Sequence, residues 1–196
     1  MTKNKNVLLT GISGFIGSHT AIRLLNRGYY VLGTLRNPAR EASVRELIGR
    51  HSQHTGRLRI VAADLLDAGA WPRLMQGVDH VMHIAAPVPR TMPKDDSELI
   101  LPAKEGTLNV LRAAASGGVK RVVLTSSIAA IAYGKPEGKR SGVFTEEDWT
   151  NPAILADTTP YYRSKTIAER AAWEFVDKEA PGMEISVVCP GAVLGP

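Results

Sequence analysis

Three side chains in the second half of the sequence could together move a proton to or from a carbonyl oxygen. Tyr161 and Lys165 are four positions apart, so a helix would place them on one face. A tyrosine hydroxyl has a pKa near 10, and a nearby ammonium group lowers that pKa because it favours the phenolate. Ser127, or less favourably Ser126, could hold the reacting oxygen. The pattern predicts acid–base chemistry, although a surface pair and a serine that caps a strand are the alternatives.

A glycine-rich segment near the start of the sequence could bind a dinucleotide. It follows the apolar run 7–9 and opens a helical pattern. Such a turn lets the backbone approach a pyrophosphate closely, and the first amides of the helix bind the negative charge. The spacing differs from the usual G-x-G-x-x-G pattern, and a plain glycine-rich turn is the alternative. The predicted cofactor contacts in this segment are Thr10, Gly11, Ser13, Gly14, Phe15, Ile16 and Gly17.

Residues after the second and third predicted strands bear on which dinucleotide would bind. A carboxylate after the second strand would bond the adenosine ribose and repel a 2′-phosphate, but the sequence has Arg36 there and Arg40 nearby. A guanidinium group matches phosphate geometry, which favours NADP. Solvated surface arginines are common, so NAD is kept as the alternative cofactor. Asp64, followed by Leu65, could bond the adenine amino group or could instead cap a turn.

The elements that would position these residues alternate between strands and helices. This alternation predicts one α/β domain with a doubly wound parallel sheet, a Rossmann fold with helices on both faces. The strands are predicted at 7–9, 29–35, 58–62, 80–84, 121–125 and 185–188, and the helices at 14–27, 68–75, 99–115 and 161–178. The segments 36–56, 87–96 and 133–160 are expected to be loops, the first with a short helix at 42–48.

The composition limits the partners and the location. The chain has 196 residues, 44% of them hydrophobic, which suits one domain with a sizeable core. Its net charge of +5 suits an anionic ligand such as a dinucleotide. Cys189 is the only cysteine, so no disulfide or cysteine-based zinc site is expected, and a reducing, cytoplasmic setting fits. Neither a signal peptide nor a membrane span is predicted.

Other polar clusters favour ordinary structural roles. His80 and His83 have no third ligand at metal-binding spacing, so no metal is expected. The acidic run 146–148 is interpreted as a solvated patch or a helix start. The arginines within 36–59 have no aromatic residue among them to stack on bases, so nucleic-acid binding is not expected. The tryptophans interpreted as core or interface residues are Trp71, Trp149 and Trp173.

Taken together, the motifs resemble the extended short-chain dehydrogenases/reductases of the NAD-dependent epimerase/dehydratase superfamily. Within it, the sequence is most similar to the group of dihydroflavonol 4-reductase, cinnamoyl-CoA reductase and aldehyde reductase. The matching segments follow the family's order along nearly the whole chain, which is more specific than any one motif. They are 10–17, 34–38, 64–65, 83–87, 121–127, 161–165 and 189–196.

The resemblance implies a role for each matched residue. Tyr161 would be the general acid in reduction, and Lys165 would lower its pKa and bind the nicotinamide ribose. Ser127 would polarise the carbonyl, and Arg36 would meet the 2′-phosphate. The helix that carries residues 104–109 would support the site from behind. Further cofactor contacts would come from Ala85, Ala86, Pro87, Thr125, Pro190 and Val193.

The expected function is therefore hydride transfer between NADP and a small aldehyde, ketone or alcohol. An NAD-dependent nucleotide-sugar epimerase or dehydratase is the first alternative, which the missing acid after the second strand disfavours. A non-catalytic dinucleotide sensor or scaffold is the second, which Tyr161 and Lys165 disfavour. The resemblance also implies a homodimer and a continuation past Pro196. Residues 1–196 are thus expected to form an NAD(P)-binding domain without most of the substrate-binding region.

Overall fold

Strands and helices alternate along the chain in the computed structural model, which describes residues 5–88, 91, 93, 95–136 and 142–195. The strands are β1 Asn6–Thr10, β2 Tyr30–Leu35, β3 Leu58–Ala62, β4 His80–His83, β5 Arg121–Thr125 and β6 Glu184–Val188. The helices are α1 Phe15–Asn26, α2 Glu41–Gly49, α3 Trp71–Leu74, α4 Ser97–Ser116 and α5 Pro160–Glu179. Single 3-10 turns lie at Pro38–Arg40, Thr55–Arg57, Ile128–Ala130 and Leu155–Asp157.

The six strands form one parallel sheet in the order β3-β2-β1-β4-β5-β6. On one side of β1, Thr10 is opposite Thr34 of β2, and on the other side it is opposite His83 of β4. The direction in which strands are added therefore reverses beside β1. In open parallel sheets, ligands bind outside the carboxyl ends of the strands at such a reversal.

Helices pack on both faces of the sheet around two apolar cores. On one face, α1 and α2 cover β1–β3, and residues such as Leu9, Leu25 and Ile48 are fully buried between them. On the other face, α3, α4 and α5 enclose Trp71 and Val122. A fully buried aliphatic side chain stabilises the fold by roughly 1.5–3 kcal/mol, so these two cores fix the helices against the strand ends that carry the site.

The predicted Rossmann-type fold is confirmed, and most predicted bounds are within two residues of the observed ones. The exception is α3, which starts three residues later than predicted because Asp64 and Asp67 begin turns whose carbonyl groups accept the N–H groups of Asp67 and Ala70. The short helix expected at 42–48 is α2. Parts of the loops predicted at 87–96 and 133–160 lie outside the described residues.

The outer strand β6 is less covered than the prediction of helices on both faces implies. Its residues alternate between exposed and half-buried positions, with Glu184, Ser186 and Val188 on the exposed face. Ile185 and Val187 pack instead on the core beside α5. One face of this strand is therefore accessible to solvent.

Candidate active site

The predicted site residues gather at the carboxyl edge of the sheet, where β1, β4 and β5 end side by side. β1 leads into the glycine turn, and β5 leads into Ser126 and Ser127. Helix α5 packs against the 3-10 turn Ile128–Ala130 that follows Ser127, so it brings Tyr161 and Lys165 to the same edge. All the predicted site residues belong to the described part of the chain.

The glycine turn after β1 is compact because two of its glycines have no room for a side chain. Gly11 has a φ of +73°, in the left-handed region, and a β-carbon there would lie 3.0 Å from the backbone of Ala85. The Gly14 N–H group donates to the Gly11 carbonyl at 3.0 Å. A β-carbon at Gly17 would overlap that same carbonyl group. Glycine at 11 and 17 therefore lets α1 start directly against the turn.

The first turn of α1 presents backbone donors at the carboxyl edge of the sheet. Gly14 is the N-cap residue, and no side chain caps the helix there. Gly14 and Phe15 are exposed, whereas Ser13 and Ile16 are half-buried. The free N–H groups and the positive end of the helix dipole together suit an anion such as a phosphate.

Two exposed arginines lie beyond β2 on the same edge of the sheet. Asn37 caps the 3-10 turn Pro38–Arg40 by accepting the Ala39 N–H group at 3.1 Å. The Arg40 guanidinium group then donates to the Ser13 carbonyl at 3.3 Å, so it lies against the glycine turn. Arg36 directly follows β2 and is exposed. Positive charge thus flanks the edge where a dinucleotide's adenosine end would lie.

Helix α4 supports the loop after β3 from behind. The Asp64 carboxylate accepts the Leu66 N–H group at 2.9 Å, which is the turn role considered for it. Asn109 of α4 donates to the Leu65 carbonyl at 3.0 Å. A β-carbon at Gly106 would lie 2.9 Å from the Leu65 side chain. Close packing of α4 therefore fixes the position of Asp64 and Leu65.

The end of β5 is tied to the chain that follows β6. The Ser126 N–H group donates to the Val188 carbonyl at 2.8 Å, and the Ile128 N–H group donates to the Pro190 carbonyl at 2.9 Å. The Ser127 hydroxyl accepts the Ala129 N–H group at 3.1 Å, which leaves its proton free to be donated to a ligand. The Ser126 hydroxyl is enclosed by protein, which favours Ser127 as the residue that meets a substrate oxygen.

A buried threonine that sequence reasoning missed organises the loop above β5. Thr150 is fully buried, and its hydroxyl donates to the Ala129 carbonyl at 2.8 Å and accepts the Tyr133 N–H group at 3.0 Å. Its own N–H group donates to the Ala130 carbonyl at 2.7 Å. A single threonine within an irregular segment has no periodicity that could mark it in the sequence.

Local capping sets the position of Tyr161 and Lys165 on α5. The Thr159 hydroxyl accepts the Tyr162 N–H group at 3.2 Å, and Pro160 occupies the first helical position. Tyr161 therefore lies in the first turn, with Lys165 one turn later and its Nζ atom 6.0 Å from the centre of the Tyr161 ring. The buried Arg163 bonds the Thr158 carbonyl and the Asp96 carboxylate, which ties the start of α5 to the start of α4.

Lys165 is mostly buried, and its surroundings act on its pKa in opposite directions. Burial lowers the pKa, whereas the Glu169 carboxylate one turn further along α5, and then Cys189, favour the charged form. Glu169 is itself buried and accepts a hydrogen bond from the Trp173 indole N–H group at 3.4 Å. Burial and Glu169 also raise the pKa of the Cys189 thiol, whose Sγ atom is 3.8 Å from Glu169. The site thus holds an amine in a poorly hydrated place beside a phenol.

His83 lies beneath the site at the end of β4. It is almost completely buried, and its Nδ1 atom is 2.8 Å from the Thr10 hydroxyl. Burial, and then the charge of Lys165, lowers the pKa of His83 to about 3. Thr10 is fully buried too, so its side chain supports the glycine turn from within the protein. Sequence reasoning considered His83 as a metal ligand and as part of the matched segment 83–87, and it missed this pairing.

The other predicted cofactor contacts lie along the same edge. The residues after β4 are half-buried, and Val193 is about half exposed. The set comprises Ala85, Ala86 and Pro87 after β4, Thr125 at the end of β5, and Pro190 and Val193 after β6. Within the described residues, no group of three or more His, Cys, Asp or Glu side chains could hold a metal ion. Among the helices of the described residues, none is long and apolar enough to cross a bilayer.

Comparison with known proteins gives consistent matches across the chain. The model of the NAD dependent epimerase/dehydratase family matches residues 7–196. The chain is 41% identical over 194 residues to cinnamoyl-CoA reductase CAD2 of Medicago truncatula, covering 97% of this chain and 58% of that protein. It is 32% identical over 201 residues to dihydroflavonol 4-reductase of Arabidopsis thaliana, covering 100% of this chain and 51% of that protein.

Solved structures agree with these matches. Yeast methylglyoxal/isovaleraldehyde reductase Gre2, complexed with NADPH, superimposes with a TM-score of 0.84 at 29% identity, covering 97% of this chain and 59% of that one. The Candida albicans Gre2 complex with NADPH gives a TM-score of 0.82 at 30% identity, covering 98% of this chain and 59% of that one. The chain therefore spans between half and three fifths of the length of these relatives.

Proposed function

Because the chain belongs to the NAD dependent epimerase/dehydratase family, we propose that it forms the NADP-binding and catalytic part of a reductase. The reaction is hydride transfer between the nicotinamide cofactor and the carbonyl carbon of a small aldehyde or ketone. The observation that carries the proposal is that Ser127, Tyr161 and Lys165 gather at the edge of the sheet that also carries the glycine turn.

The residues at the β1–α1 junction fit a dinucleotide. A side chain at Gly11 or Gly17 would fill the bend, and the first amides of α1 are uncapped by side chains, as a pyrophosphate requires. Arg36 and Arg40 would hold the 2′-phosphate of NADP, since both are exposed at the end of β2 and Arg40 contacts the glycine turn. The two Gre2 structures, which contain NADPH, support the same choice of cofactor.

The chain's own residues supply the proton and the polarity for the reaction. When bound, the nicotinamide supplies the hydride in the reducing direction. Ser127 donates its hydroxyl proton as a hydrogen bond to the substrate oxygen, and Tyr161 transfers its phenolic proton to the same oxygen. The Lys165 ammonium group stabilises the phenolate that Tyr161 leaves behind. Burial of Lys165 strengthens that interaction because little water screens it.

The experiment that tests this function is a Tyr161→Phe substitution in the full-length protein. NADPH consumption with an aldehyde substrate should fall by at least about 100-fold, the usual contribution of a general acid. NADPH binding, measured by quenching of tryptophan fluorescence, should be unchanged. Tyr162→Phe is the matched control, because it removes a hydroxyl from the neighbouring position on α5 and should retain turnover. Normal turnover in Tyr161→Phe would exclude the phenol from the mechanism.

The same assay separates the other two hypotheses. A nucleotide-sugar epimerase regenerates its cofactor in each cycle, so it would show no net consumption of NADPH. A dinucleotide sensor would bind the cofactor and turn over nothing across a screen of aromatic and aliphatic aldehydes. The names of the matched relatives, cinnamoyl-CoA reductase and dihydroflavonol 4-reductase, favour net reduction.

A further inference from the structure

One hydroxyl group beneath the glycine turn makes three hydrogen bonds across the point where the strand order reverses. The Thr10 Oγ1 atom, at the end of β1, accepts the N–H groups of Ile84 and Ala85, each at 3.0 Å. The same atom lies 2.8 Å from Nδ1 of His83. Thr10 and His83 face each other in the β1–β4 register, and both are buried.

This arrangement fixes the tautomer of the histidine. A hydroxyl oxygen has two lone pairs and one proton, and the two backbone donors use both lone pairs of Thr10. Its contact with His83 must therefore be O–H donating to Nδ1, so Nδ1 carries no proton. The neutral ring then has its proton on Nε2, and a charged imidazolium ring would break this contact.

The other ring nitrogen of His83 indicates that this histidine does more than fill space in the core. His83 Nε2 is enclosed, and it has no hydrogen-bond partner among the residues that the structure describes. A buried donor without a partner is unfavourable, so an apolar side chain would be expected here if the position served packing alone. An apolar side chain could not accept the hydrogen bond that Nδ1 accepts from the Thr10 hydroxyl.

The hydrogen bonds of Thr10 act directly on the glycine turn. They hold the backbone of Ala85 at the place where a β-carbon on Gly11 would come within 3.0 Å of it. If the Thr10 hydroxyl rotated away from His83, a lone pair would no longer face Ile84 or Ala85. Ala85 would then be free to shift toward or away from the bend that receives the pyrophosphate.

We propose that Thr10 and His83 form a positioning pair for the dinucleotide, in which the Nε2–H tautomer of His83 orients the Thr10 hydroxyl and thereby locks Ala85 against the glycine turn. Both side chains are buried beneath the turn, so the contact predicted for Thr10 would come from its backbone and not from its hydroxyl. The pair acts through the backbone that the cofactor contacts, and in this respect the proposal rests on the proposed dinucleotide binding.

The tautomer is tested first, because that measurement is independent of the function. Two-bond ¹H–¹⁵N NMR spectra of the chain labelled at its histidines distinguish protonated from unprotonated ring nitrogens, and His83→Asn assigns the signal by its loss. At neutral pH, Nδ1 should be unprotonated and Nε2 protonated. A protonated Nδ1 would overturn the pairing, whether or not the protein binds a dinucleotide.

The positioning role is tested with variants that imitate one nitrogen of the ring at a time. The oxygen of an asparagine can replace Nδ1, so His83→Asn should bind NADPH nearly as well as the unchanged protein. A glutamine reaches the place of Nε2 and leaves Thr10 without its acceptor. His83→Gln should therefore weaken NADPH binding by about tenfold, the change that one ordinary hydrogen bond produces.

Thr10→Ser and Thr10→Val form a second pair that decides the matter if a histidine variant does not fold. The serine variant keeps the hydroxyl and should bind NADPH normally, whereas the valine variant keeps the shape and should lose about tenfold in affinity. Equal NADPH affinity of Thr10→Val, His83→Gln and the unchanged protein would overturn the positioning role. If the unchanged protein bound neither NADPH nor NADH, the proposed function would fail together with the positioning role, while the tautomer would still stand.

Discussion

Lys165 carries a charge although much of its side chain is removed from water. Burial alone lowers its pKa, and Glu169 on the next turn of α5 acts against this by favouring the ammonium form. A buried amine that stays charged interacts strongly with a nearby phenol because the medium between them screens poorly. At the scale of single residues, the buried Glu169 carboxylate therefore limits the fall in the Lys165 pKa that burial causes.

His83 should make the fold sensitive to acid. Its pKa is about 3 in the folded chain and about 6.5 when unfolded, so the unfolded chain takes up a proton first. Its contribution to stability is complete above pH 6.5 and is lost as the pH falls toward 3. Between pH 7 and pH 4.5 this amounts to about 2–3 kcal/mol.

Urea unfolding at the two pH values measures this loss, with His83→Asn as the control. Carboxylates such as Asp148 and Glu174 have lowered pKa values and also destabilise the fold when protonated, in the variant as in the unchanged protein. Only the difference between the two proteins reports on His83. An equal loss of stability in both would show that His83 is not buried in its neutral form.

Arg36 should decide between NADPH and NADH. Arg36→Ala removes a donor to the 2′-phosphate, so the Kd for NADPH should rise roughly 10- to 100-fold while the Kd for NADH changes little. Arg27→Ala lowers the net charge equally at the other end of α1, and it should leave both constants unchanged. If the two variants weakened NADPH binding alike, the effect would be one of overall charge.

Sequence reasoning found those site residues whose types and spacing are local. Tyr161 and Lys165 are one helical turn apart, and the three glycines follow one strand, so periodicity and turn chemistry reveal them. The pairing of Thr10 with His83 joins residues 73 positions apart, and Thr150 bonds a carbonyl 21 positions away. Only the folded sheet brings such groups together, so no local sequence pattern could predict these contacts.

At the scale of the elements, the bounds of the six strands and of the long helices α1, α4 and α5 were predicted to within two residues. Apolar runs and flanking glycines mark these elements, and Gly28, Gly77 and Gly118 adopt positive φ values in the turns after α1, α3 and α4. The short elements were predicted less well. In the 3-10 turn Ile128–Ala130, Ser127 supplies a local cap, but Thr150, which bonds two of the turn's carbonyl groups, lies 21 positions from Ala129 and acts only in the folded chain.

The packing of α1 against the glycine turn predicts a larger loss of stability for one alanine substitution than for another. Gly17→Ala places a methyl group on the Gly11 carbonyl, so α1 must move, and the free energy of unfolding should fall by about 1–3 kcal/mol. Gly14→Ala meets only the same carbonyl at 3.4 Å, at a negative φ, so it should lose less than Gly17→Ala, because only the N-cap preference for glycine over alanine is affected. Urea unfolding compares them, and equal stabilities would show that the close approach of α1 is not needed.

At the scale of the whole molecule, the two faces of the sheet differ in their cover. Helices α3, α4 and α5 bury one face from β1 to β5, whereas α1 and α2 bury the other over β1–β3. Apolar side chains near that second face remain accessible: Phe15 is 45% exposed, Val188 51% and Leu194 86%. Gly195 lies against the Phe15 ring, so the last described residues run beside the start of α1.

A chain of these 196 residues should therefore bind apolar probes at this surface. Exposed apolar patches on a protein surface promote association. The dye ANS should fluoresce when it is mixed with the chain at neutral pH, and the apparent molecular mass from light scattering should rise with protein concentration.

Val188→Lys combined with Leu194→Lys should reduce both the ANS fluorescence and the apparent mass, since each lysine adds charge where the apolar surface is exposed. Val143→Lys combined with Leu155→Lys is the matched control, because these residues are 93% and 69% exposed in the segment before α5 and their replacement adds the same charge. An equal effect of the control would attribute the change to net charge, and the surface beside β6 would then have no special part in association.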